Sequence, residues 1–185
     1  MCIKAKQRSA LILRCLFSRK ASILFKAFIV YVRPIWEYAS SVWSLYQCNL
    51  VNMIEGIQRS FTKRLSGLDR LSYIQRLLVL NTSSLQCRRL QFDLTNYYRI
   101  INGLMDINNN DFFSFNVNTR SRGHPLRIDQ QGCINSRHSN SFCKLNRVVC
   151  IWNSLPTDVV TSKTLGSFKA RLALVDLNKY CDSFH

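Results

Sequence analysis

Glycine, proline and acidic side chains are scarce in this 185-residue sequence, which has six glycines, three prolines and ten Asp and Glu residues. So few glycines and prolines exclude a collagen-like or linker-rich chain. Hydrophobic residues make up 47% of the sequence, which is too many for an intrinsically disordered protein. The length is sufficient for one domain with a buried core and room for a small appendage.

Long hydrophobic runs are also missing. The longest uncharged stretch, residues 38–54, contains Gln47, Asn49 and Asn52, and the apolar run at 27–32 is far shorter than the ~20 residues that cross a bilayer. Residues 1–20 carry six basic side chains and no clean cleavage site, so we expect no secretory leader. The eight cysteines form no CxxC pair, which favours reduced thiols. We therefore expect no membrane partner and an intracellular location, nuclear and cytoplasmic.

The sequence contains no recognisable catalytic or metal-binding constellation. Nucleotidyl transfer needs carboxylates that converge on two metal ions, whereas no two acidic residues here are adjacent. Each glycine stands alone, so no glycine-rich phosphate loop is present. Four residues could in principle be zinc ligands, but their gaps match no zinc spacing; they are Cys133, His138, Cys143 and Cys150. We expect no catalytic residue, no metal and no cofactor.

The charge balance is the strongest compositional signal. Twenty-six Lys and Arg residues oppose the ten acidic ones, giving a formal net charge of +16 and a pI near 10.0. Self-repulsion on this scale predicts a polyanionic partner, and nucleic acid is favoured over an anionic membrane surface. Residues 1–33 are the most asymmetric stretch, with eight basic residues and no acidic one.

Helical periodicity dominates the first hundred residues. Apolar residues recur at helical spacing through Leu50, Met53, Ile54, Ile57, Phe61 and Leu65, with Asn49 as the expected N-cap and Gly67 as the expected left-handed C-cap. Ser72 with Gln75 and Ser83 with Gln86 have the spacing of capping boxes, and Pro34 predicts a kink or a restart. The sequence therefore predicts a mainly α fold.

Three regions are expected along the chain. Residues 1–103 form a helical bundle, and residues 104–147 form a loop-rich basic segment with short strands around 126–128. Residues 148–185 form an irregular, partly helical C-terminal extension packed on the same core, with its last helix starting near Thr164. The aromatic residues Tyr97, Tyr98 and Trp152 are expected in the core rather than as base-stacking platforms.

Arginine and lysine pairs supply the candidate phosphate contacts. Arginine binds phosphate oxygens bidentately, whereas lysine supplies a point charge. The candidates lie at the end of a predicted helix, near the start of another, and in the loop at 119–124; they are Lys63, Arg64, Arg88, Arg89, Arg120 and Arg122. The sequence predicts that this set binds RNA, DNA or an RNA–DNA duplex through its phosphates.

Several distinctive segments follow one another between residues 27 and 172. They include AFIVYVRPIWEYASSVWSLY, IEGIQRSFTKRLSGL, SYIQRLLVLNTSSLQCRRLQFDL, TRSRGH, VVCIWNSLPTDVV and LGSFKARL. In this order they resemble the C-terminal region of reverse transcriptases from jockey-like non-LTR (LINE-type) retrotransposons, downstream of the polymerase palm. The resemblance covers roughly residues 8–174.

The resemblance implies a helical thumb, followed by its extension, that clamps template RNA or the template–primer duplex behind the active site. The Tyr-x-Asp-Asp turn of the palm is missing from this sequence, so the resemblance implies a non-catalytic fragment of an RNA-directed DNA polymerase. The catalytic part is expected N-terminal to Met1, and in the parent protein the palm and fingers would be partners. Two alternatives stay open: an inert remnant of a decayed element, and the C-terminal part of a full-length active enzyme.

Overall fold

A computed structural model describes residues 2–37, 48–106, 113–115, 124–129 and 146–181. The described residues are mainly helical, which confirms the predicted fold class. The helices are α1 (Cys2–Cys15), α2 (Ala21–Tyr31), α3 (Pro34–Glu37), α4 (Cys48–Lys63), α5 (Tyr73–Val79), α6 (Leu85–Ile101), α7 (Asn146–Ser154), α8 (Thr157–Val160), α9 (Leu165–Leu174) and α10 (Asn178–Cys181). In the part of the chain described, strand pairing is limited to an antiparallel bridge between Phe115 and Ile128.

The chain divides into two compact units. The first comprises residues 1–40 and 45–88, and the second comprises residues 41–44 and 89–185, so the division falls within α6. The predicted boundaries at 103 and 147 are not tested by this division and stay predictions.

Aromatic stacking forms the core of the first unit, where α1 packs against α2 and α4. The rings of Phe28 and Phe61 stack with centroids 4.4 Å apart, and Phe25 stacks on Phe28 at 6.0 Å. Trp36, on α3, is buried beside Phe28. Helix α2 ends before Pro34, which occupies the first position of α3, so the predicted restart is confirmed.

The start and exposed face of α4 differ from the prediction. The helix begins at Cys48, so Asn49 lies inside it and is not the N-cap. Ile54, Ile57, Phe61 and Leu65 are buried as expected, but Met53 is 48% exposed, because the buried stripe is narrower than the apolar pattern. Gly67 has φ +79°, which confirms the left-handed conformation expected there.

The two predicted capping boxes have different outcomes. Ser72 Oγ accepts from the Gln75 amide at 3.3 Å, and Gln75 Oε1 accepts from the Ser72 amide at 2.9 Å, so the first box is confirmed. The second is wrong by one residue, because α6 begins at Leu85 and Ser84 Oγ accepts from the Cys87 amide at 3.2 Å.

The second unit has its own aromatic core. The rings of Tyr98 and Phe168 stack at 4.3 Å, and Trp152 packs against both Phe168 and Tyr97 at centroid distances of 6.1 and 6.2 Å. Tyr97, Tyr98 and Trp152 are almost completely buried, as predicted. Helix α9 begins after Thr164, whose side chain accepts from the Ser167 amide in a second capping box.

Candidate nucleic-acid interface

The carboxyl end of α4 presents two predicted phosphate contacts to solvent. Lys63 is the last residue of the helix and Arg64 follows it, and both side chains are exposed. Ile57 and Phe61 are buried, so the end of α4 that carries the two cations is packed in the core. Their position also stabilises the helix, because positive charge near a carboxyl end offsets the helix dipole.

Lys6 on α1 is a further basic residue, which was not among the phosphate contacts predicted from the sequence. Its exposed side chain lines the same groove as Arg64, between α1 and α4. Among the described residues, Lys6, Lys63 and Arg64 take part in no salt bridge. The excess of cations in residues 1–33 was the sequence signal for Lys6, but the packing of α1 on α4 was needed to bring it near Arg64.

Arg88 is already engaged within the first unit. Its Nε donates to Glu37 Oε1 at 2.8 Å, and both side chains are partly exposed. A phosphate would have to compete with this carboxylate, which makes Arg88 a weaker candidate than Lys63 or Arg64. Arg89 belongs to the second unit and is partly exposed. Arg120 and Arg122 lie outside the described residues, so their roles stay predictions.

Arg33 is a buried arginine of the first unit, and the sequence analysis did not predict its role in the core. Arg33 is 2% exposed and donates to Gln58 Oε1 from Nε at 3.3 Å and from Nη2 at 3.0 Å. Its Nη2 also donates to Thr82 Oγ1 at 2.8 Å, and its guanidinium lies 5.2 Å from the centre of the Phe25 ring. Burial lowers the pKa of Arg33 to about 10, and repulsion by the nearby Arg88 adds to this effect.

Gln58 extends this cluster to α5 and the start of α6. Its Nε2 donates to the Tyr73 hydroxyl at 3.1 Å and to the Ser83 carbonyl at 3.3 Å. The Tyr73 hydroxyl in turn donates to Glu55 Oε1, and Glu55 Oε2 accepts from the Leu85 amide at 3.0 Å. We call Arg33, Gln58, Tyr73, Glu55 and Thr82 the buried polar cluster.

The protonation of the buried polar cluster follows from its burial. Burial raises the pKa of the Glu55 carboxyl, although its hydrogen bonds to Tyr73 and to backbone amides oppose the shift. Burial and the adjacent Glu55 carboxylate raise the pKa of the Tyr73 hydroxyl, which keeps the phenol protonated as a donor. Glu55 therefore serves to hold Tyr73 and the start of α6, and is not a free carboxylate for metal binding.

A second buried arginine ties α5 to the end of α4. Arg76 is 5% exposed, and its Nη1 donates to the Arg59 carbonyl at 2.9 Å and to Thr62 Oγ1 at 3.2 Å. The guanidinium groups of Arg59 and Arg76 lie 5.1 and 5.5 Å from the centre of the Tyr73 ring. These contacts fix the helix end that carries Lys63 and Arg64.

In the second unit, the side chain of Asn153 makes two hydrogen bonds to the backbone of Ile128. Asn153 Oδ1 accepts from the Ile128 amide at 3.0 Å, and its Nδ2 donates to the Ile128 carbonyl at 2.8 Å. Trp152 Nε1 donates to the Leu126 carbonyl at 2.8 Å, and His124 Nε2 lies 2.9 Å from the Trp152 carbonyl. Burial lowers the pKa of His124. The segment at 124–129 is therefore fastened to α7 by side chain–backbone bonds.

Neither a metal cluster nor a membrane-spanning helix is found where the structure is described. No group of three or more His, Cys, Asp or Glu residues in residues 2–37, 48–106, 113–115, 124–129 and 146–181 could hold a metal ion. Over the same residues, no helix combines the length and the apolar character required to cross a bilayer. Cys133, His138 and Cys143 lie outside these ranges.

Comparison with known proteins finds a distant relative. The chain is 28% identical over 95 residues to an uncharacterised protein from Caenorhabditis elegans, and the match covers 50% of this chain and 48% of the relative. The chain thus aligns with about half of that protein's length. No known family profile and no solved structure matches the chain.

Proposed function

We propose that this chain binds RNA or an RNA–DNA duplex through phosphate contacts, as a non-catalytic thumb-like segment of a LINE-type reverse transcriptase. The observation that carries the proposal is the group of exposed cations Lys6, Lys63 and Arg64, which project from packed helices and form no salt bridge among the described residues. Such cations release counterions when they neutralise phosphates, which supplies affinity without sequence preference.

Contacts between the segments that suggested the resemblance also support the proposal. The Arg33 segment meets the Gln58 segment through two hydrogen bonds, and Glu37 meets Arg88 through an ion pair. These pairs are 25 and 51 residues apart in sequence. Segments that pack on one another behave as parts of one folded unit, which is what a thumb derived from a larger polymerase requires.

The test is the salt dependence of binding to a labelled RNA–DNA heteroduplex, measured by fluorescence anisotropy. Basic contacts of this kind give dissociation constants of about 10⁻⁴ to 10⁻⁶ M at physiological salt. The double variant Lys63→Ala with Arg64→Ala should reduce the slope of log affinity against log salt by up to about two units, if both residues contact phosphates.

A matched control removes the same charge elsewhere. Lys163 and Lys169 are exposed lysines of the second unit, and their replacement by Ala should change the slope less than the α4 pair does. Equal slopes for the two double variants would show that binding follows net charge alone. Failure of the wild-type chain to bind polynucleotides in dilute buffer would contradict the proposal, and so would unaided polymerisation of deoxynucleotides.

If the chain is instead an inert remnant, its exposed apolar residues predict self-association. Ile74, Leu78 and Val79 of α5 are all more than 60% exposed, and Ile74 and Leu78 lie one helical turn apart. Self-association through such a surface, without salt-dependent heteroduplex binding, would favour the remnant. An upstream reading frame with a Tyr-x-Asp-Asp motif would favour the full-length enzyme.

A further inference from the structure

The groove between α1 and α4 has the dimensions of a small ligand site. Its volume is about 370 Å³, at the lower end of the range for small-molecule pockets. The apolar residues that line the groove are Ala10 and Leu13 of α1, which are half-buried, and Ile57 and Phe61 of α4, which are almost fully buried. Lys6 and Arg64 also line it, and none of the residues that line it is acidic.

Gly56 of α4 lines this groove. Gly56 lies in the middle of a 16-residue helix, where glycine is less favourable than alanine. A Cβ atom built at Gly56 would meet no heavy atom within 4 Å, so neither crowding nor a positive φ accounts for the glycine. The missing side chain instead leaves space in the groove, which Gly56 lines.

The geometry points to a subsite for one unpaired nucleotide of a bound strand, with the base against the apolar side and its phosphate between Lys6 and Arg64. The inference rests on the proposed function and deepens it. A nucleotide combines a flat apolar body with an adjacent negative charge, which matches an apolar wall beside two cations and no carboxylate. Contact with the base is sequence-tolerant, since every base offers an apolar face.

The experiment compares two labelled oligonucleotides of about 12 residues with equal phosphate counts, one of thymidylate and one with abasic sites throughout. The wild-type chain should bind the thymidylate oligomer at least about fivefold more tightly than the abasic one. Ser60 is exposed and lines the groove, so Ser60→Trp should fill it and bring this ratio to about one. The slope of affinity against salt should not change, because the cations remain.

Asn52→Trp is the matched control, because Asn52 is exposed on the same helix but does not line the groove. It should retain the wild-type ratio. Lys6→Ala, also at an exposed position, should weaken both oligomers and lower the salt slope by about one unit. Circular dichroism of each variant verifies the fold.

The outcomes separate this inference from the proposed function. Equal, salt-dependent binding of both oligomers by the wild-type chain would overturn the subsite and leave the proposed function standing. A ratio that survives Ser60→Trp would also overturn the subsite. If the wild-type chain bound neither oligomer in dilute buffer, the subsite would be overturned, and the proposed function would fail with it only if the RNA–DNA heteroduplex were not bound either.

Discussion

Replacing the buried Arg33 should lower the unfolding free energy of the first unit more than replacing an exposed residue does. In an Arg33→Met variant, two buried hydrogen bonds to Gln58 Oε1 and one half-buried hydrogen bond to Thr82 Oγ1 disappear. The buried Gln58 Oε1 left without this donor costs about 1–3 kcal/mol, and the hydrogen bond lost at the half-buried Thr82 adds about 0.5–1.5 kcal/mol, which gives about 1.5–4.5 kcal/mol together. Proteins of this size are stable by only about 5–15 kcal/mol, so the variant should unfold at much lower urea concentration.

The assay is urea unfolding followed by circular dichroism. Arg70→Met is the control, because Arg70 is exposed, and its unfolding free energy should lie within about 0.5 kcal/mol of the wild type. Because Arg33 and Gln58 bond directly, the double variant Arg33→Met with Gln58→Leu should lose less stability than the sum of the single variants. The expected coupling is about 0.5–3 kcal/mol.

Additive losses from the two single variants would refute the reasoning, because they would mean that the Arg33–Gln58 hydrogen bonds contribute nothing as a pair. A loss for Arg33→Met no larger than that for Arg70→Met would refute it as well. In either case the buried polar cluster would not be the group that holds α3, α4 and the segment before α6 together.

Two further predictions concern the carboxyl of Glu55 and the loop at 119–124. Because burial raises the Glu55 pKa, its contribution to stability is greatest below the ordinary carboxyl pKa and is lost as the pH rises through the folded-state value. The unfolding free energy of Glu55→Gln relative to wild type, measured by urea unfolding at several pH values, should therefore increase over that pH window; a constant difference would contradict the raised pKa. Replacing Arg120 and Arg122 by Ala should flatten the heteroduplex salt slope by up to about two units, and an unchanged slope would remove the loop from the interface.

Local signals in the sequence predicted the helices well because they depend on neighbouring residues. Pro34, Gly67 and the Ser72–Gln75 box each act within one helical turn, and the structure confirms all three. The start of α6 was wrong by one residue because Ser83 and Ser84 are both competent caps, and spacing alone does not choose between them. Met53 was assigned to the core by periodicity, although nothing in the pattern fixes how wide the buried stripe is.

The candidate interface was less predictable because its members come from distant segments. Lys6 and Arg64 line one groove although they are 58 residues apart in the sequence. Glu37 lies 51 residues from the arginine with which it pairs, so the ion pair of Arg88 could not be read from the sequence. Pairings of this kind depend on how helices pack, which single-residue propensities do not encode.

The buried polar cluster limits what the sequence segments around Arg33 and Gln58 indicate about function. Arg33 and Gln58 are inaccessible to any large ligand, since 2% or less of each residue is exposed. A related chain could therefore lose every exposed cation and still keep the segments around these two residues, provided that it has to fold. The presence of these segments in a chain indicates its architecture, and whether such a chain binds nucleic acid has to be judged from its exposed cations.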